Sequence, residues 1–193
     1  CESTKTKVSD VMTRNSFDKI KRFLHFNDNS TQVPKDTPGY DKLYKIRPVL
    51  NILKQSCRKV NQEENQSIDE VMLPTKGRSN IRQYLPNKPH KWGIIVWARC
   101  GVSGLLYDFN VYAGKEDDKS GVEDVVMALC TNLPKYSNYK LFYDNYFSTL
   151  SLMSKLKENG VQSTCTIRPQ RLHGADRLLS SSSALKKKGR GSM

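Results

Sequence analysis

Apolar positions in the N-terminal third of the chain recur at helical spacing. Phe17, Ile20, Phe23 and Leu24 fall on one face of a helix expected over residues 9–25, with basic residues between them and Asn27-Asp28-Asn29 as a polar stop. Such a stripe predicts a helix packed on a core. A second helix is expected over residues 44–60, with Ile46, Val49, Leu50 and Leu53 on one face, and the segment holding Pro34, Pro38 and Gly39 reads as a loop. From Gln66 the texture changes to short runs. Residues 67–73, 92–99, 105–112, 140–146 and 161–167 read as strands, with β-branched and aromatic residues dominating the second. A turn over residues 101–104 pairs the second and third of these antiparallel. Residues 122–133 and 148–158 return to helical spacing, the first ended by Pro134 and the second capped by Asn159-Gly160. Pro74, Gly77 and Pro86-Asn87-Lys88-Pro89 interrupt any regular element between the first two strands.

The resulting order is β-β-β-α-β-α-β behind an N-terminal helical region, an α/β arrangement with a mixed sheet. It divides the chain into a helical region over 1–65, a sheet-bearing core over 66–169, and a basic tail of low order, or the start of an insertion, over 170–193. An antiparallel meander followed by a crossover helix sets the fourth strand parallel to the first and beside it.

Charge narrows the function. Thirty-two Lys and Arg against nineteen Asp and Glu give +13, a balance suited to nucleic acid or another polyanion. The excess is clustered: residues 71–91 hold five basic residues and no acid, and residues 163–193 hold seven against Asp176 alone. No run approaches the roughly 18 apolar residues of a membrane span, and the first residues carry no leader-like apolar stretch, so no membrane association is expected. Five scattered cysteines without a C-x-x-C pair read as free thiols rather than a zinc site.

Two acidic motifs point to chemistry. Ser67-Ile68-Asp69-Glu70 and Leu141-Phe142-Tyr143-Asp144-Asn145 each set an aspartate in or at the end of an apolar, strand-forming run. In the expected topology their ends lie side by side, where carboxylates supply the hard oxygen ligands that divalent cations require. A pair of such ions promotes attack on a phosphodiester and stabilises the leaving oxygen, as in RNase H-like nucleases and transposases. A third carboxylate normally completes the site. Glu158 reads as part of a solvated helix face beside Lys155 and Lys157, and Asp176 lies in a polar stretch, so neither is expected to bind metal.

Longer strings carry a resemblance. Arg22-Phe23-Leu24-His25-Phe26-Asn27-Asp28-Asn29, Tyr40-Asp41-Lys42-Leu43-Tyr44-Lys45-Ile46-Arg47-Pro48, Ser67-Ile68-Asp69-Glu70 with Lys76-Gly77-Arg78, Tyr84-Leu85-Pro86-Asn87-Lys88-Pro89-His90-Lys91-Trp92-Gly93 and Tyr143-Asp144-Asn145-Tyr146-Phe147-Ser148 resemble the piggyBac transposases and the cellular proteins derived from them. Thr166-Ile167-Arg168 and the closing Lys186-Lys187-Lys188-Gly189-Arg190-Gly191-Ser192 extend the resemblance over nearly the whole chain.

The resemblance implies an RNase H-like catalytic core that binds Mg²⁺ (or Mn²⁺) through three aspartates, excises an element at TTAA sites and joins it to target DNA. Asp69 matches the first of those aspartates and Asp144 the second. The third belongs to a later helix that this chain is expected to stop short of, together with the C-terminal part of the core and a cysteine-rich DNA-binding module. Two carboxylates leave the ions under-liganded, so no cleavage is expected from residues 1–193 alone. Phosphate contacts are expected from Lys76, Arg78, Lys88, His90, Lys91, Arg168, Arg171, Lys186, Lys187, Lys188 and Arg190. A nuclear location is expected, with the run from Lys186 to Arg190 read as a DNA contact or an import signal, and the resemblance implies a homodimer. The alternative is a domesticated module that binds DNA or protein without cutting.

Overall fold

The computed structural model describes residues 8–114, 121–178 and 180–188. The chain divides into two units, 1–53 and 54–193. In the first, the helix expected over 9–25 is split into α1 (Val8–Val11) and α2 (Arg14–Phe23). Thr13 leaves the helical conformation, and its hydroxyl accepts the Ser16 N–H at 3.2 Å, which caps α2. The expected packing of this helix on a core is not observed. Ile20 is 55% and Phe23 66% exposed, and Leu43 is the one buried apolar residue among those described in this unit. So short a segment has too little apolar surface to cover the stripe.

Polar contacts order the loop that follows. Asp41 receives the Arg47 guanidinium in a fork, with Nε to Oδ2 and Nη2 to Oδ1 both at 2.7 Å, while Asn27 Nδ2 donates to the Tyr44 carbonyl at 2.9 Å. The second expected helix opens with a 3₁₀ turn (Tyr44–Ile46) before α3 (Arg47–Arg58). Pro48 is tolerated in the first turn of α3 because an N–H there has no intrahelical partner to lose.

The second unit is built on six strands, β1 (Asn65–Pro74), β2 (Gln83–Tyr84), β3 (Trp92–Gly101), β4 (Leu106–Val111), β5 (Lys140–Tyr143) and β6 (Gln162–Cys165), with α4 (Val122–Cys130) and α5 (Leu150–Glu158) flanking β5 in the chain. Strand order is β2-β3-β1-β5-β6, and β4 pairs with β3. The meander β1-β3-β4 is antiparallel, whereas β1, β5 and β6 run parallel, so the expected mixed α/β sheet is present.

One strand departs from expectation. The interrupted stretch before Trp92 contains β2, which pairs Gln83 with Gly93 and Tyr84 with Trp92, and the Leu85 N–H donates to the Lys91 carbonyl at 2.8 Å. Two residues are too few to show a period. What holds them is side-chain packing: Tyr84 lies 4.9 Å from Trp92, and the Arg82 guanidinium sits 4.6 Å above the same indole. Pro86-Asn87-Lys88-Pro89 thereby becomes the tip of a hairpin.

The tail expected to have low order instead forms 3₁₀ turns at Pro169–Arg171 and Ala175–Leu178 and a short helix, α6 (Ser182–Lys188), among its described residues. Ser181 starts α6 by accepting the Ala184 N–H on its hydroxyl at 3.2 Å.

Ile68, Leu141 and Tyr143 from the sheet close on Val125, Val126, Leu129 and Cys130 of α4 and on Leu152 and Leu156 of α5. Each such side chain contributes about 1.5–3 kcal/mol on burial. The two helices are tied together by Glu123, which accepts from Thr149 Oγ1, from Ser151 Oγ at 3.0 Å and from Lys155 Nζ at 2.9 Å. Among the described residues no helix is long and apolar enough to cross a membrane.

Burial pushes the Cys130 thiol up to about 12 and the Tyr143 hydroxyl up to about 12. Both groups stay protonated when folded and ionise lower when unfolded, at roughly 8.5 and 10, so their contribution is complete below those values and is lost as pH rises toward 12. Within that window each removes about 1.4 kcal/mol per pH unit. The denaturant midpoint is expected to fall steadily between pH 8.5 and 11, and less so in Cys130→Val (a window set by those ordinary ionisation ranges, roughly). A level profile for the unsubstituted protein would contradict this.

Candidate metal centre and nucleic-acid surface

The parallel pairing of β1 with β5 positions the two aspartates. Its last registered pair is Ile68 with Tyr143, both buried in the core. Side chains alternate along a strand, so the successors Asp69 and Asp144 turn away from the core, and both are exposed. Neighbouring strands are about 4.8 Å apart, so Asp69 and Asp144 follow the last registered pair on adjacent strands, where β5 ends and the β5-facing edge of β1 opens.

Local contacts hold each of them. The Asp69 carboxylate accepts the Glu70 N–H at 2.8 Å, and Glu70 forms an ion pair with Lys88 at 3.0 Å. Thr166, just past β6, donates its hydroxyl to Asp144 Oδ1 at 3.0 Å. The Asp144 carbonyl accepts from the Phe147 N–H at 3.1 Å and the Ser148 hydroxyl at 2.9 Å, closing the turn that follows β5. Arg171 braces the same turn: Nη1 donates to the carbonyls of Asn145, Tyr146 and Ser148 at 2.9–3.0 Å.

Lys88 links the parts. Its ammonium is held above the ordinary lysine range first by its hydrogen bond to Glu70, against the effect of burial, and then by the charges of Glu70, Asp69 and Asp144. The hairpin tip formed by β2 and β3 therefore brings a cation to Glu70, the neighbour of Asp69. Asp69 is held above the usual carboxylate range, by burial first and by its interaction with Glu70 next. The two carboxylates are hard oxygen donors of the kind a divalent cation takes. Among the described residues no group of three or more His, Cys, Asp or Glu side chains is placed to hold a metal. Glu158 is at the far end of the nine-residue helix α5, about 12 Å along it from Leu150.

The expected phosphate contacts spread along exposed segments. Lys76 and Arg78 lie exposed between β1 and β2, and His90 and Lys91 are exposed on the hairpin beyond Lys88. Arg168 is exposed and donates through Nε to Asn145 Oδ1 at 3.2 Å. Arg171 is partly buried against its three carbonyls, so it has a bracing task beside any contact with phosphate. Lys186, Lys187 and Lys188 are exposed in the last turn of α6, and Arg190 lies outside the described residues. Sequence reasoning missed Thr166, because a threonine in a short strand is ordinary, and missed the bracing by Arg171, because the three carbonyls come from a turn whose shape no pattern announces.

The profile of the family described as Transposase IS4 matches residues 2–192. The chain belongs to that family, in its piggyBac group. It is 33% identical over 193 residues to the human PiggyBac transposable element-derived protein 3, covering 95% of this chain and 31% of that one. It is 29% identical over 195 residues to the human PiggyBac transposable element-derived protein 2, covering 96% of this chain and 31% of the relative. The chain thus spans about a third of the length of these curated relatives. Among solved structures, the piggyBac transposase synaptic complex with hairpin DNA aligns with a TM-score of 0.79 at 25% identity, over 92% of this chain and 38% of that one. The fold is the RNase H-like core of a piggyBac transposase, and the chain is a transposase-derived domain.

Proposed function

We propose that this domain holds the phosphodiester backbone of DNA against a divalent-metal site formed at Asp69 and Asp144, and that its ancestral reaction is metal-dependent cleavage and strand transfer at TTAA sites. The observation that supports the reading is the parallel β1/β5 register, which ends at Ile68 and Tyr143 so that Asp69 and Asp144 follow it on neighbouring strands, with Lys88 paired to Glu70 next to Asp69. Bound there, Mg²⁺ or Mn²⁺ would supply Lewis-acid stabilisation of charge on a phosphate. The chain's own residues do the rest. Asp69 and Asp144 provide oxygen ligands, Thr166 and the turn braced by Arg171 orient Asp144, and Lys88 offsets phosphate charge at the rim. Exposed Lys76, Arg78, His90, Lys91 and Arg168 supply the sequence-independent attraction along the backbone.

The test is a Mn²⁺ titration of the protein, followed by calorimetry, with duplex binding measured in the presence and absence of metal. The protein is expected to bind Mn²⁺ and Asp69→Asn to bind it at least 100-fold less tightly, roughly, because even residues that merely orient ligands cost 10- to 100-fold when lost. DNA binding with no Mn²⁺ binding would overturn the metal site and favour a domesticated DNA-binding module.

A further inference from the structure

Tyr143 precedes Asp144 at the end of β5, and Cys165 precedes Thr166 at the end of β6. Tyr143 and Cys165 are registered partners across the β5/β6 pair, so their side chains share the face of the sheet that packs on α5. Met153 of α5 reaches the same place, and the Cys165 thiol donates to its sulfur at 3.8 Å. Both residues are half-buried, and the thiol is free. Met153 also lines a cavity of about 730 Å³ with Leu150, Val161 and Ser163, which opens a path from solvent to the sulfurs.

Packing alone leaves one group unexplained. The Tyr143 side chain is only 6% exposed, and its hydroxyl has no hydrogen-bond partner among the described residues. Ser163 and Cys165 both lie near it, but neither meets it with hydrogen-bond geometry. Buried hydroxyls ordinarily find a partner. A neutral thiol is a weak acceptor, whereas an ionised group accepts strongly. Loss of the Cys165 proton would supply the acceptor that Tyr143 lacks, and coordination to a metal ion is what removes such a proton.

The donors define the class of ion. Thiolate and thioether are soft ligands and select Cu(I), in contrast to the hard ions that suit carboxylates. With metal–sulfur bonds of roughly 2.3 Å, as in zinc thiolates, sulfurs 3.8 Å apart subtend about 110° at the ion, close to trigonal with a third position open.

We infer that Cys165 and Met153 form a binding site for Cu(I), with Tyr143 donating its hydroxyl to the bound thiolate. On binding, the thiol proton passes to solvent, Cys165 Sγ bonds the ion and Met153 Sδ shares a lone pair with it, while the copper stays Cu(I). The site differs from Asp69 and Asp144 in donor chemistry and does not depend on the DNA-handling reading.

The experiment titrates the oxygen-free protein with Cu(I) against the chromophoric chelator bicinchoninate. The protein is expected to hold its tightest equivalent through Cys165, so that Cys165→Ser loses it and Cys57→Ser and Cys100→Ser keep it. Met153→Leu, a change that nearly conserves volume, and Tyr143→Phe are each expected to weaken it at least 10-fold, roughly the effect of losing a group that orients a metal ligand. Tyr143→Phe is also expected to leave the melting temperature of the metal-free protein unchanged or higher, because the hydroxyl it removes is unpaired. That readout separates a role at the ion from a role in packing. Excess Mg²⁺ is expected not to displace the copper. The inference is overturned if no Cu(I) is held against the chelator, if the tightest equivalent survives Cys165→Ser, or if Mg²⁺ displaces it. It is equally overturned if Met153→Leu or Tyr143→Phe binds as the unsubstituted protein does, or if metal-free Tyr143→Phe melts lower.

Discussion

Asp108→Asn is expected to cost the domain about 3–5 kcal/mol and to lower its melting temperature by about 10 °C. Asp108 is fully buried on β4 and sits opposite Arg99 of β3, which is also fully buried. Its carboxylate accepts from Arg58 Nε at 3.1 Å and Nη2 at 2.9 Å and from Asn132 Nδ2 at 3.3 Å, and Lys54 Nζ lies 3.4 Å away. One anion thus faces three cations. Arg99 in turn donates to the Leu129 carbonyl at 2.7 Å, to Gln62 at 2.6 Å and to Gln66, while its Nη2 has no hydrogen-bond partner. Burial holds the Arg99 guanidinium below the usual arginine range, and Asp108 works against that effect. Asparagine preserves the shape and removes the charge, so the buried guanidinium loses its counter-charge and Arg58 and Lys54 are left to repel it. Lys54 and Arg58 can relax toward water because they are partly exposed, whereas Arg99 cannot. In a double-mutant cycle, Arg99→Met with Asp108→Asn is therefore expected to lose at least about 1 kcal/mol less than the sum of the single losses. A melting temperature for Asp108→Asn within about 2 °C of the unsubstituted protein, less than one kcal/mol by the usual conversion, would show that the cluster is not held by charge.

The same cluster shows where sequence reading reaches its limit. The positions of Asp69 within an apolar run and of Asp144 at the end of one were legible, because a strand pattern specifies which side chains turn toward the core and which turn away. The α4 and α5 cores were legible for a similar reason, since Val125, Val126, Leu129, Leu152 and Leu156 repeat at helical spacing. Arg99 and Asp108 sit within strands that were also expected, yet their pairing depends on β3 lying against β4 in one register, and a charged residue in a strand reads first as a surface residue. Strand β2 escaped notice because its two residues are stabilised by Trp92, eight positions beyond Tyr84. The helical face of Phe17, Ile20 and Phe23 was visible as a pattern, but a pattern states that a face is apolar and not that the unit carrying it has anything to cover it.

Gly160→Ala joins a legible feature to one that no pattern contains, and the substitution is expected to cost roughly 2–5 kcal/mol. The legible part is the cap of α5. Gly160 takes φ +74°, its N–H donates to the Lys157 carbonyl at 2.9 Å, and the Val161 N–H donates to the Leu156 carbonyl at 2.9 Å, which is the double closure that glycine permits at a helix end. A side chain at that φ costs about 1–2 kcal/mol by itself. The hidden part is the backbone of Tyr136, which is docked on the cap: a Cβ on Gly160 would lie 2.5 Å from Tyr136 Cα and N. Tyr136 is held there by its N–H to the Asn159 carbonyl at 3.2 Å and its hydroxyl to the Glu158 carbonyl at 2.7 Å. The clash can be relieved only by moving main chain at one side or the other. Gly104→Ala supplies the control, because Gly104 has φ +82° but nothing within 4 Å of an added Cβ, so it carries the conformational cost without the collision. Melting temperatures are expected to fall distinctly further for Gly160→Ala than for Gly104→Ala, and equal losses would show that the Tyr136 contact adds nothing. The effect should also reach the candidate site. β6 starts at Gln162, immediately beyond the cap, and the strand delivers Thr166 to Asp144 Oδ1. Displacing the start of β6 withdraws the hydroxyl that orients the second aspartate, so Mn²⁺ affinity is expected to drop in Gly160→Ala and to hold in Gly104→Ala.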